Sequence, residues 1–150
     1  MTLLETMNGH HPDIKILATD ISTKILRHSL MGTYDRKKME QVSPILRERY
    51  FTKVGRNDAA VYSVKDSLRR LITFHRLNLS QVPFPMSGPM DAVFCRNVMI
   101  YFDNEVRRNL LKEFFRLLKP GGYLLVGHAE SLTGMLSGFK PVVPSVYIKS

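Results

Sequence analysis

The stretch Asp91 to Phe102, DAVFCRNVMIYF, constrains the fold more than any other, because an apolar run stops abruptly at Arg96-Asn97 and a second hydrophobic segment follows at once. The length and apolar continuity of Ala92, Val93, Phe94 and Cys95 predict a strand buried on both faces, as in parallel sheets covered by helices. Ligands of such sheets bind beyond the carboxyl ends of the strands, where loops converge. Arg96 and Asn97 therefore stand at a strand mouth. Some twenty residues on, the order repeats: a helix ending at Leu118, a Pro120-Gly121-Gly122 turn, a strand from Tyr123 to Val126, then polar Gly127, His128, Ala129 and Glu130. Two strand-to-loop transitions are expected to face the same way.

At 150 residues the chain is long enough for one domain and too short for two independent ones. Its apolar runs fall well short of the roughly 20 residues a membrane span needs, so a cytoplasmic location without membrane insertion is expected. Cys95 is the single cysteine, which excludes an intrachain disulfide or a multi-cysteine zinc site. Inside an apolar strand it reads as a small core residue. Net charge is +9, and the segment Lys24 to Arg76 carries +8 of it. Such a field steers an acidic partner without choosing among nucleic acid, anionic lipid and protein.

Along the chain, Thr2 to Met7 reads as the tail of a helix closed by Asn8-Gly9. Ile14 to Ala18 is a short strand running into Thr19-Asp20. Ser22 then caps a helix through about Leu30 that turns Ile21, Ile25 and Leu26 inward, and Gly32 ends it. Ser43 with Pro44 opens another short helix. Arg49 to Lys53, Val61 to Val64 and Leu71 to Leu77 read as three strands, the first two joined by the turn residues Gly55-Arg56-Asn57-Asp58, and their short connections predict an antiparallel unit. Val82 to Pro89 is a Pro-rich loop. Asp103 or Asn104 caps a long helix with Val106, Leu110, Leu111, Phe114 and Leu117 inward, and Val146-Tyr147-Ile148 closes the chain as a final antiparallel strand.

The strand ends carry the candidate chemistry. Asp20 closes the first strand, where a carboxylate accepts both hydroxyls of a ribose; taken alone, it is read somewhat more readily as an Asx turn or a helix cap. Asn78 and Asn97 end two further strands, and an amide offers a donor and an acceptor together, although Asn is also a common turn former. Tyr101, four residues past Asn97, can place a phenol over the same mouth or pack into the core. His128 and Glu130 have no third partner at metal-ligand spacing, and His128 reads as a satisfied loop histidine. Nucleophile-elbow, Walker and metal-binding signatures are absent from the sequence, so no metal site is expected.

ILATDIS at Ile16 to Ser22, RLNLS at Arg76 to Ser80, FCRNVMIYF at Phe94 to Phe102 and LKPGGYLLVGHAESL at Leu118 to Leu132 together resemble the CheR family of chemotaxis receptor methyltransferases. The likeness runs through essentially the whole chain. It implies an α/β fold, a class I S-adenosylmethionine-dependent methyltransferase (Rossmann-like) sheet over residues 1–150 with a small antiparallel β-subdomain inserted at about 49–77. It implies S-adenosyl-L-methionine as cofactor and S-adenosyl-L-homocysteine as product, with O-methylation of receptor glutamates as the reaction. Asp20 would hold the ribose, Asn78 and Leu79 would meet the adenine, and Arg96 with Asn97 would flank the cofactor. Tyr101 matches the tyrosine held to position the substrate carboxylate. The partner implied is the cytoplasmic domain of methyl-accepting chemotaxis receptors, reached in some members by adding the receptor's C-terminal peptide as a strand to the β-subdomain. Val54 to Ala60 has one glycine where peptide-binding members have several.

In that family a first strand, its glycine-containing loop and a helical domain precede the helix with which this chain begins. The expectation is therefore a fragment inactive alone, with two unpaired inner strand edges and an exposed apolar surface. Two other classes compete. A noncatalytic module could grip an acidic receptor or its tail through the basic antiparallel unit. Nucleic-acid binding rests on charge alone and lacks interleaved aromatics at a stacking platform, so no nucleic-acid partner is expected.

Overall fold

Capping chemistry sets most of the local structure. In a computed structural model that describes residues 1–6, 13–55, 60–128, 130, 132 and 138–150, the chain divides into two compact units, Met1–Leu77 and Asn78–Ser150. The expected Asn8-Gly9 helix stop and the turn residues Arg56, Asn57 and Asp58 lie outside the described residues.

The first unit runs α1 (Thr2–Thr6), β1 (Ile16–Asp20), α2 (Thr23–Met31), β2 (Thr33–Asp35), α3 (Arg36–Met39), α4 (Pro44–Tyr50), β3 (Phe51–Val54), β4 (Val61–Val64), α5 (Asp66–Arg69) and β5 (Ile72–Arg76). Ser22 Oγ accepts from Ile25 N and opens α2, and Gly32, at φ 59°, closes it in the left-handed region that a side chain disfavours. The Arg69 guanidinium then donates to the carbonyls of Leu30 and Met31, two acceptors left open at the end of α2, and to that of Val64. Ser43 caps α4 in the same manner ahead of Pro44. Met39, Tyr50, Phe51, Tyr62 and Leu68 form the core, with Tyr34 edge-on to Phe51 at 6.1 Å. Glu5 ties α1 to this core by accepting from Arg49 and, at 2.6 Å, from the Tyr50 hydroxyl.

Two expectations are corrected here. The antiparallel sheet has the order β2-β4-β3, so its third strand is Thr33–Asp35 and not Leu71–Leu77. The short helix α5 turns the chain before residue 72, and β5 lies parallel to β1 in register from Ile16↔Ile72 to Asp20↔Arg76. The inward face of α2 is also open: Ile21 is 54% and Ile25 49% exposed, and only Leu26 is half-buried. A two-stranded sheet spans about 5 Å between strand axes, against a helix diameter of about 10 Å, and is too narrow to cover that stripe.

The second unit runs β6 (Met90–Cys95), a single 3-10 turn (Met99–Tyr101), α6 (Asn104–Leu117), β7 (Leu118–Val126), β8 (Phe139–Val143) and β9 (Val146–Lys149). The sheet order is β6-β7-β9-β8, with β6 and β7 parallel and the other pairs antiparallel. Asp103 Oδ1 accepts from Val106 N at 2.9 Å to start α6, which buries Leu110, Leu111, Phe114 and Leu117. Lys149 Nζ donates to the carbonyls of Phe115 and Leu118 at 2.6 and 2.7 Å, a cation at the negative end of the helix dipole.

Pro120-Gly121-Gly122 does not separate helix from strand as a free turn. It lies inside β7, where the register with β6 passes from Met90↔Leu118 to Ala92↔Tyr123, and Gly121 takes φ 74° at this bulge. Nor is the Ala92–Cys95 strand buried on both faces. Cys95 is buried while Phe94 is 69% exposed, because adjacent residues of a strand point to opposite faces. Among the described residues, β1 and β6 each pair on one side only, as the expected open edges require. Among the same residues no helix is long and apolar enough to cross a membrane.

Candidate cofactor site

The carboxyl ends of the parallel strands carry the predicted residues, and each unit holds its own share. In the first unit Asp20 ends β1, half-buried. Its Oδ1 accepts from Ser22 N at 2.7 Å, so the Asx turn weighed from the sequence is present and uses one of the two carboxylate oxygens. The Asp20 carbonyl also accepts from Leu77 N at 3.1 Å, extending the β1–β5 pairing to the loop.

The second unit begins with Asn78 and Leu79, both half-buried. Asn78 Oδ1 accepts from Ser80 N at 3.1 Å and from Ser80 Oγ at 2.9 Å, which leaves the amide nitrogen as its outward donor. Arg96 and Asn97 follow β6, and both are exposed. Asn97 adopts φ 60°, a left-handed conformation that Asn tolerates better than most side chains. Tyr101 ends the 3-10 turn with 79% of its surface exposed, so the core-packing reading of this residue does not hold.

What fixes the β6 mouth is a residue that the sequence reading set aside. Glu130 is 6% exposed. Its Oε1 accepts from Val98 N at 2.8 Å and Met99 N at 2.7 Å, and its Oε2 from Gly127 N at 2.5 Å. One carboxylate therefore ties the loop after β6 to the loop after β7. Burial works against the ionised form, but the backbone N–H groups of Gly127, Asn97, Met99 and Val98 outweigh it and hold the carboxyl below its ordinary range. The role is neither acid-base nor metal chemistry. It is an anion satisfied by main-chain donors, which sets the position of Asn97 and of the turn that presents Tyr101.

Burial, with Glu130 nearby, pushes the Cys95 thiol up to about 12, which suits an inert core residue. His128 is exposed, with Nδ1 3.0 Å from Ser145 Oγ. Among the described residues no cluster of three or more His, Cys, Asp or Glu side chains is placed to hold a metal.

Gly127 is part of the same lock. A Cβ there would lie 2.9 Å from both Asn97 N and Glu130 Oε2 and still nearer to Asn97 Oδ1. Gly127→Ala should accordingly destabilise the second unit by about 2 kcal/mol, read as a lower urea midpoint at unchanged slope. Wild-type stability in that variant would contradict the packing.

The chain is 42% identical to a probable chemotaxis protein methyltransferase of Rhizobium etli, over 89% of this chain and 50% of that protein. It is 35% identical to chemotaxis protein methyltransferase 2 of Pseudomonas aeruginosa, over 98% of this chain and 52% of the other. With the chemotaxis protein methyltransferase of Escherichia coli K12 identity is 34%, over 100% and 52%. The chain thus spans about half the length of the curated relatives it matches. Among solved structures it is similar to the citrinin polyketide synthase CMeT domain at 18% identity and a TM-score of 0.48, over 92% of this chain and 28% of the other. Residues 1–148 match the family described as CheR methyltransferase, SAM binding domain, and the chain belongs to that family.

Proposed function

We propose that this chain is the cofactor-binding part of an S-adenosylmethionine-dependent protein-glutamate O-methyltransferase acting on the cytoplasmic domain of methyl-accepting chemotaxis receptors. The family match over residues 1–148 carries the reading, and the polar residues at the strand ends support it. S-adenosyl-L-methionine, when bound, supplies the methyl group and leaves as S-adenosyl-L-homocysteine. Asp20 keeps Oδ1 on Ser22 and offers Oδ2 to the ribose hydroxyls. Asn78, through its amide nitrogen, and Leu79 meet the adenine, and Arg96 and Asn97 flank the cofactor. Tyr101 donates to the incoming glutamate carboxylate and aligns it. That carboxylate is already ionised, so the protein's contribution is orientation and desolvation rather than proton transfer.

The test is a calorimetric titration of the chain with S-adenosyl-L-homocysteine. Saturable binding is expected, weakened at least about tenfold in Asp20→Asn, a variant that retains an acceptor for Ser22 N. No binding by the folded chain, or equal binding by the variant, would refute the assignment.

A second reading, a noncatalytic receptor- or peptide-binding module, draws on the three-stranded antiparallel sheet. Its edge strand β3 exposes Thr52, Lys53 and Val54, and an edge of this kind accepts an added peptide strand. Binding of a receptor C-terminal peptide without any binding of S-adenosyl-L-homocysteine would favour it.

A further inference from the structure

The 3-10 turn that presents Tyr101 has little internal support. It spans Met99–Tyr101, and Tyr101 N donates to the Val98 carbonyl at 3.2 Å and Phe102 N to the Met99 carbonyl at 3.1 Å. Bonds of this i to i+3 kind have poorer geometry than those of an α-helix. At 79% exposure the Tyr101 side chain gains little packing that could fix it. Its phenol therefore stands where the backbone of the turn puts it.

That backbone is held from outside at successive peptide groups, each of them a rigid plane. Glu130 accepts from the N–H groups of Val98 and Met99 and so holds the two planes ahead of Met99. The plane after Met99 is held by Arg107, whose Nε donates to the Met99 carbonyl at 2.8 Å. A carbonyl oxygen has two lone pairs, and here one serves Phe102 N and the other the guanidinium. Arg107 is half-buried and lies in the first turn of α6, its own N–H donating to the Asp103 carbonyl at 3.0 Å. Burial of Leu110, Leu111, Phe114 and Leu117 anchors that helix, so the guanidinium reaches the turn from a rigid base. An ionised donor makes the bond roughly twice as strong as a neutral one would. An anion thus grips the N–H side of the turn and a cation its carbonyl side, with the Met99 side chain, 1% exposed, as the buried pin.

We propose that Arg107 is a positioning residue for the substrate carboxylate, acting through the Met99 carbonyl to set where Tyr101 stands. This role rests on the assignment of Tyr101 to the incoming glutamate. The test is fluorine NMR of the chain labelled with 3-fluorotyrosine, with Tyr101→Phe identifying one signal among six, together with amide hydrogen exchange. In Arg107→Ala the Tyr101 signal should move while the other five stay. Exchange at Tyr101 and Phe102 should rise at least about tenfold, with that of Leu124 in β7 unchanged. Arg107→Lys keeps a cationic donor of similar reach and should restore most of the protection. Calorimetry with S-adenosyl-L-homocysteine separates the two readings: no binding by wild type would refute the cofactor site, while the fluorine signal and the exchange still decide Arg107. An unmoved Tyr101 signal, a change shared by all six signals, or a lysine variant as impaired as alanine would overturn the proposal.

Discussion

Glu130→Ala should cost the second unit about 4 kcal/mol, the largest single loss expected in this chain, because it strands several buried main-chain donors at once. The carboxylate accepts from Val98, Met99 and Gly127, and at 6% exposure no bulk water replaces it. Glu130→Gln keeps the shape and one acceptor oxygen but sets an amide NH2 against main-chain N–H groups, so it should lose about half as much. The pH dependence has a definite sign. The folded-state carboxyl lies below its ordinary range, so the stabilisation is complete above the unfolded value of about 4.3. It is lost as pH falls through the lower folded-state value. Wild type should therefore weaken below about pH 4.5, and both variants should lose part of that acid slope. The chain has no tryptophan, so urea unfolding followed by circular dichroism is the suitable measurement. An alanine variant within 1 kcal/mol of wild type would show that the donors find other partners.

The elements legible in the sequence are those whose cause is local. The side-chain oxygens of Ser22, Ser43 and Asp103 each accept from the backbone N–H three residues on and so start a helix, and Gly32 ends α2 through its own backbone freedom. The strand mouths at Asp20 and at Arg96-Asn97 were readable because an apolar run stops there. Partner choice was not. Thr33–Asp35 and Asp66–Arg69 are three and four residues long, too short to show a period. Together they decide that β2 closes the antiparallel sheet and that β5 joins β1. The exposure of Phe94 and Ile25 was illegible for a related reason, since an apolar residue states a preference for cover without saying whether a second layer lies over it. Glu130 was missed because its partners are backbone N–H groups. These leave no mark at any spacing; the available hint was an acidic residue just beyond a buried strand, beside a second strand end rich in unpaired donors.

Glu113→Ala should be the next most damaging change, at about 3 kcal/mol, and its effect should fall on the Pro-rich connection ahead of β6. Glu113 lies on α6 at 6% exposure, with Oε1 accepting from Phe84 N at 2.7 Å and from Arg116 Nη2 at 2.5 Å, and Oε2 from Arg116 Nε at 3.0 Å. Arg116 also donates to the Met86 carbonyl at 3.0 Å, so the pair fastens both sides of the connection to the helix. Phe84 then packs 6.5 Å from Phe114, ring centre to ring centre, and Gly88 passes so close to the Leu117 carbonyl that a side chain has no room. Removing the carboxylate strands the Phe84 N–H, whereas Arg116→Ala removes a half-exposed partner that water can replace and should cost less. The Arg116 guanidinium, opposed by burial and aided by the Phe84 N–H, holds the Glu113 carboxyl below its ordinary range, so this contribution too is complete above about pH 4.3 and fades below it. Because Met90 begins β6 directly after this connection, loosening it should reach the strand that carries Arg96 and Asn97. Hydrogen exchange separates the outcomes. Faster exchange at Phe84 and along β6 in Glu113→Ala is the expected result. Acceleration confined to Phe84 would show that the connection and the strand are held independently.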